Sequence, residues 1–159
     1  MSAKMTTERW QFNGLMRFLH WLMAAMVLTM LFIGIAMVAS LGDYHVLLSI
    51  HHPLGIAILI LVVIRLVTRL SSTLPPFPAT MSPQERLAAH ASEVLLYTLL
   101  FVQPLVGWAM LSAARYPIVL FGSVHLFPIL PHNVMAYAVL RQTHTILAYL
   151  FFLAFIAHF

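Results

Sequence analysis

Four long apolar runs, separated by shorter breaks rich in turn residues, organise the 159 residues of this chain. The first extends from about Phe18 to Ala39 and the second from about His51 to Leu70. The third extends from about Leu87 to Ser112 and the fourth from about Gln142 to Phe159. Each approaches the roughly 20 residues a helix needs to cross a bilayer. The breaks carry turn and helix-start chemistry. Gly42 and Asp43 lie in the first, and the prolines and serines of STLPPFPATMSPQER end one helix and begin the next in the second. The third break, Ala113 to Arg141, is the longest. It holds Pro117, Gly122, Pro128 and Pro131 with apolar residues between them, so it is expected to fold back on the bundle rather than float. The expected architecture is an all-α, four-helix transmembrane bundle forming a single domain over residues 1–159.

Composition agrees. Residues of the AVILMFWYC set make up 62% of the chain, charged residues only 8%, and the mean hydropathy is +0.97. A soluble domain carries about 25% charged residues. The absence of cysteine excludes disulfides, thiolate-ligated haem and iron–sulfur clusters. Any metal must therefore use His, Met or carboxylates. No cleavable signal peptide is expected, because the first apolar run continues too long for an h-region.

The formal charge of +4 reads as topological bias. Lys4, Arg9, Arg17, Arg65, Arg69 and Arg86 flank one side of the expected spans, and Arg115 and Arg141 the other. Six against two places both termini and the Ser71–Arg86 loop in the cytoplasm. No basic patch is interleaved with aromatics, so no nucleic-acid partner is expected.

Histidines carry the candidate chemistry. His144 and His158 lie fourteen residues apart in the last run. That spacing rises about 21 Å along a helix and closes close to four turns of about 3.6 residues, so both side chains share one face at two depths. Given the orientation above, His20 at the start of the first run lies at the depth of His158. His51, at the start of the second, lies at the depth of His144. The expected pairs are His20 with His158 and His51 with His144. Histidine within a span is costly and needs a partner. Two imidazoles at one depth can be the axial ligands of one haem iron, which leaves no open site and favours electron transfer. Two donors make an incomplete set for zinc or copper, and no third ligand is evident. Gly55, four residues after His51, shares its face and would leave room for a flat macrocycle.

The remaining polar residues divide between structure and site. His52 points about 100° away from His51 around the helix and is a poor second ligand. His90 has no partner at a matching phase and reads as structural or as a contact to a haem propionate. His45, His125 and His132 fall in loops and read as surface residues. Arg17, three before His20, and Arg141, three before His144, are candidate partners for propionates, against simple snorkelling of the side chains. Arg65 and Arg69 share a helix face and read first as topology markers, with a propionate or quinone role second. The ten methionines read as packing.

At these residues the chain resembles the bacterial cytochrome b561 family, a group that includes a superoxide oxidase. The resemblance covers nearly the whole chain. It runs through RFLHWLMA, IHHPLGIAILILVVIRLVTRL, LLYTLLFVQPLVGWAMLSAARYPIVLFG and THTILAYLFFLAFIAH. The HW pair, the H-x-x-x-G step, the P-L-x-G-W turn and the His-x13-His spacing together are fairly specific. The resemblance implies two b haems held by His20, His51, His144 and His158 in the bacterial inner membrane. It also implies electron passage between a periplasmic donor and membrane quinone. Two departures stand out. Many relatives carry a histidine three after the position of His90, where this chain has Glu93. Relatives also continue past the final ligand with a basic tail, whereas this sequence stops one residue after His158, and a less closed lower site is expected.

Three functions are compatible with this reading. The first is a transmembrane conduit from a periplasmic donor, superoxide among them, to quinone, with Arg115 and Arg141 attracting an anionic donor. The second is a haem-b anchor subunit that relays electrons from a periplasmic dehydrogenase or hydrogenase, with the Ala113–Arg141 loop as its docking surface. The third is a non-redox bundle using the histidines as a proton relay. Oligomeric state is not encoded in any of these patterns.

Overall fold

The computed structural model describes residues 14–73 and 75–158. Lys4, Arg9 and Phe159, all invoked above, lie outside the described residues. Four helices account for most of the chain: α1 Gly14–Ala39, α2 Tyr44–Leu70, α3 Pro83–Ala114 and α4 Val134–His158. All four are long and apolar enough to cross a membrane. The all-α bundle read from the sequence is the observed architecture.

The helices are longer than the apolar runs that predicted them, because local capping and not hydropathy sets where they stop. Ser82 caps α3: its hydroxyl accepts from Glu85 N, the Glu85 carboxylate accepts from Ser82 N at 2.7 Å, and Pro83 occupies the first turn. This reciprocal arrangement satisfies two otherwise orphaned donors. At the other end of α3, Arg115 adopts a left-handed conformation (φ 59°), and Tyr116 N donates to Leu111 O, closing the helix in a position that favours glycine. The largest departure is at α4. It begins at Val134, not near Gln142, because Asn133 Oδ1 accepts from Ala136 N at 2.9 Å and nothing in VMAYAVLRQ interrupts the helix. The third break is therefore confined to residues 115–133, and Arg141 lies on α4. The P-L-x-G-W segment is also not a turn. Pro104 and Gly107 sit inside the continuous α3, as Pro53 does inside α2.

The loop between α3 and α4 folds back on the bundle as expected. It adds an antiparallel hairpin of β1 Ile118–Leu120 and β2 Val124–Leu126, with Ile118 opposite Leu126. Phe121 and Gly122, both with positive φ, form its tip, as a tight right-twisted hairpin requires. Trp108 Nε1 donates to Phe127 O, Ile129 N donates to Ser112 Oγ, and Asn133 N donates to Ala113 O. These bonds tie the loop to the end of α3, and β1 rests against α2.

α1 packs on α2, α3 on α4, and α2 joins the two pairs through α3. The core is a short plug of Met23, Val27, Ile58, Val62, Leu99, Leu100, Phe151 and Ala154. Outside it the surface is apolar: Phe18, Trp21, Phe32, Ile60, Val94, Leu153 and Ile156 are all exposed. In water such a surface would drive aggregation. In a bilayer it is the lipid-facing side, and the chain is read as a multi-pass membrane protein.

Candidate cofactor sites

The bundle is layered by a fourteen-residue step on every helix. His20 and Gly34 on α1 are fourteen apart, as are His51 and Arg65 on α2, Glu93 and Gly107 on α3, and His144 and His158 on α4. Seven residues along from the first of each pair lie Val27, Ile58, Leu100 and Phe151, all buried in the core. Two turns of helix rise about 10.5 Å. A dry apolar layer thus separates two polar levels. The level nearer the hairpin, termed upper, holds His51, His144, Gly34 and Gly107. The lower level holds His20, His158, Arg65 and Glu93.

The structure brings both histidine pairs together. The ring centroids of His51 and His144 are 6.2 Å apart with planes at 70°, and those of His20 and His158 are 6.5 Å apart at 64°. Imidazole nitrogen binds a transition metal at about 2 Å, and the ring centre lies roughly 1.1 Å behind the nitrogen. Two imidazoles in trans on one ion therefore have centroids roughly 6–6.5 Å apart. Both pairs meet that spacing. The Nδ1 atoms of His20, His51 and His144 are buried without a hydrogen-bond partner, which is costly in a low-dielectric interior unless something else engages the ring. Among the described residues no group of three or more His, Cys, Asp or Glu could hold a metal. Two nitrogens without further protein ligands suit a metal that brings its own equatorial ligands.

The upper pair is the more enclosed. Gly107 faces His144 so closely that a Cβ would stand 3.1 Å from Cε1 of the ring. Gln103, one turn earlier on α3, donates from Nε2 to His144 O at 3.0 Å, while its Oε1 is buried without a partner. Neither residue was singled out as a site residue from the sequence, although both lie in the quoted FVQPLVGW motif. At Gly55 an added Cβ would stand 3.6 Å from the Met30 methyl of α1. Gly34 faces open space at the upper level. The lower pair is more open, with His158 exposed and His20 half-buried.

The other polar residues take distinct places. Arg69 and Glu93 form a two-armed ion pair, Nη1 to Oε1 and Nη2 to Oε2 both at 2.7 Å, between α2 and α3. Arg65 lies between α1 and α3, with Nη1 at 3.6 Å from Met23 Sδ and its guanidinium carbon 5.5 Å from the Tyr97 ring centre. Arg17 and Arg141 are exposed. His52 stands beside His51, with ring centroids 6.5 Å apart, and His90 packs edge-on against Phe77. His45 contacts the Tyr44 ring, His125 Nδ1 lies 3.2 Å from Ser123 O, and His132 Nδ1 lies 2.9 Å from Ala113 O. An open cavity of about 320 Å³, bounded in part by Ser112, Arg115, Tyr116, Ile118 and His132, lies under the hairpin, apart from the paired histidines.

The model of the prokaryotic cytochrome b561 family matches residues 11–159. The chain belongs to that family. It is also 36% identical over 126 residues to cytochrome b561 homolog 2 of Escherichia coli (strain K12). That match takes in 77% of this chain and 65% of the relative's length, so the chain spans about two thirds of that curated protein. Membership in a family of b-type cytochromes implies haem b binding, and the four long apolar helices fit a membrane-embedded protein.

Proposed function

We propose that this cytochrome b561-family chain is a two-haem conduit for electrons across the bacterial inner membrane. In this reading His51 and His144 hold one b haem and His20 and His158 the other. The observation that carries it is the pair of imidazole spacings, 6.2 and 6.5 Å, at the two ends of one bundle. Haem held by these histidines would supply a one-electron iron couple.

The chain's own residues account for the rest. Gly107 and Gln103 hold the His144 ring and backbone in place. The Val27–Ile58–Leu100–Phe151 layer keeps water from the space between the levels. Arg17 and Arg141, each about one turn before a paired histidine, offer charge to haem carboxylates, and Gly55 keeps α2 slim beneath His51. Both termini lie in the cytoplasm, which puts the upper level on the periplasmic side. There Arg115 borders the open cavity and would draw in an anionic donor such as superoxide. Quinone in the bilayer is the acceptor.

Stopped-flow mixing of the purified protein with superoxide, then with quinone, tests this order. Reduction of the haem bands by superoxide followed by their reoxidation by quinone supports it. Bands that quinone does not reoxidise would overturn the conduit, and bands that superoxide does not reduce would remove that donor.

A second reading is a haem-b anchor for a periplasmic dehydrogenase or hydrogenase. The observation favouring it is the ordered hairpin, whose tip residue Phe121 is 82% exposed at the end of the bundle. Co-purification of a periplasmic redox subunit that is lost with Phe121→Ser would favour this reading.

A further inference from the structure

Arg65 is a cation within a membrane-spanning helix. Among the described residues no carboxylate lies within ion-pair reach of it, because Glu93 is taken on both oxygens by Arg69. Its contacts are soft: the thioether of Met23 on α1 and the π face of Tyr97 on α3. A charge in this position is expensive, and such residues face a partner or a functional group. Arg65 lies fourteen residues from His51 on the same helix, so it stands on the same face one level lower. That level is the level of His20 and His158, and Met23, which Arg65 contacts, lies one turn after His20 on α1. The upper level has no counterpart, since its four positions are His51, His144, Gly34 and Gly107.

We infer that Arg65 is an anion-binding residue of the lower site, in addition to Arg17, and takes a haem propionate there. The inference rests on the two-haem reading and adds an asymmetry to it. A guanidinium offers paired N–H groups that match a carboxylate. Arg17 and Arg141 serve one level each, so Arg65 is an additional cation at the lower level, and its positive charge there opposes oxidation of a metal held by that imidazole pair. The lower haem is then the more easily reduced of the two, and electrons run from upper to lower level. Arg65 is a positioning residue that also sets this difference.

The test is a redox titration of detergent-purified holoprotein, with the two b-type transitions followed optically and haem counted by pyridine haemochrome. Arg65→Gln is compared with Arg65→Lys, which keeps the charge. The expected result is that Arg65→Gln moves only the higher-potential transition to a lower potential, and Arg65→Lys restores most of the shift. At fixed ambient potential the oxidised-to-reduced ratio of that haem should rise by about tenfold. Reconstitution with haem dimethyl ester identifies the anion. If it is a propionate, the ester and Arg65→Gln produce overlapping effects, not additive ones. Additive effects, which a lipid phosphate on Arg65 would give, overturn the assignment. Unchanged midpoints in both variants with two haems bound overturn it while leaving the two-haem reading intact. Wild-type protein without haem would instead sink the underlying reading. If Arg65→Gln does not fold, Arg65→Met, neutral and of similar length, takes its place: the same downward shift is expected in the holoprotein and the same overlap with the ester, and an unchanged midpoint or additive effects overturn the assignment.

Discussion

Gly107 and His144 touch across the α3–α4 interface with no room for another atom. A Cβ on residue 107 would stand 3.1 Å from Cε1 of the imidazole. Gly107→Ala is expected to displace the ring by a few tenths of an ångström, at a cost of about 1–3 kcal/mol for overpacking. A helix interior otherwise prefers Ala to Gly by roughly 1 kcal/mol, which offsets part of the loss. The signature is thus spectral more than thermal: a changed band or midpoint for one haem, with the melting temperature little altered. An unchanged spectrum would mean that Gly107 does not seat the ring.

The pairing itself predicts a pattern of losses. His51→Ala and His144→Ala should each remove the same haem, and His20→Ala and His158→Ala the other. Each variant should keep about half of the haem per chain, counted by pyridine haemochrome, because the buried Val27–Ile58–Leu100–Phe151 layer separates the levels. Loss of haem from both levels in a single variant would contradict independent sites.

Gln103 donates to His144 O while its own carbonyl oxygen is buried and unpaired. Gln103→Leu removes a hydrogen bond worth about 1 kcal/mol and an unsatisfied acceptor together, so stability should change by less than about 1 kcal/mol. Gln103→Glu places a charge in the same space and should destabilise severely. Thermal melts of the two variants in detergent separate these outcomes, and equal effects would argue that Gln103 is not buried against α4.

The spans and the histidine pairs were legible in the sequence for a simple reason. Hydropathy marks a membrane helix directly, and fourteen residues bring any helical position back to the same face, so His144 and His158 had to align. What lay across an interface was not legible. Whether Gly107 or Gly55 faces an imidazole depends on how α2 and α3 are rotated in the bundle, and apolar helices give little pattern from which to read rotation. The same ambiguity left Arg65 and Arg69 as two similar charges on one face. Their partners separate them: Arg69 meets Glu93 and Arg65 does not. The start of α4 was misplaced because Arg141 and Gln142 looked like a boundary, whereas the cap is Asn133.

The Arg69–Glu93 pair clasps α2 to α3 near the lower end of the bundle. Both side chains are about a quarter exposed, 25% and 28%, so solvent screens part of their attraction. Glu93→Gln should cost about 1 kcal/mol or less, and the double variant with Arg69→Gln should cost no more than the sum of the two single changes. A double-mutant cycle on melting temperature measures the coupling. Zero coupling would mean that the pair orients its side chains without stabilising the bundle.

The most direct test of the account is the haem content of the purified chain. Oxidised and dithionite-reduced spectra with a pyridine haemochrome count should show a six-coordinate, low-spin b-type signal and two haems per chain. One haem per chain would mean that one histidine pair is not a ligand pair, and none would return all four histidines to structural or proton-handling roles.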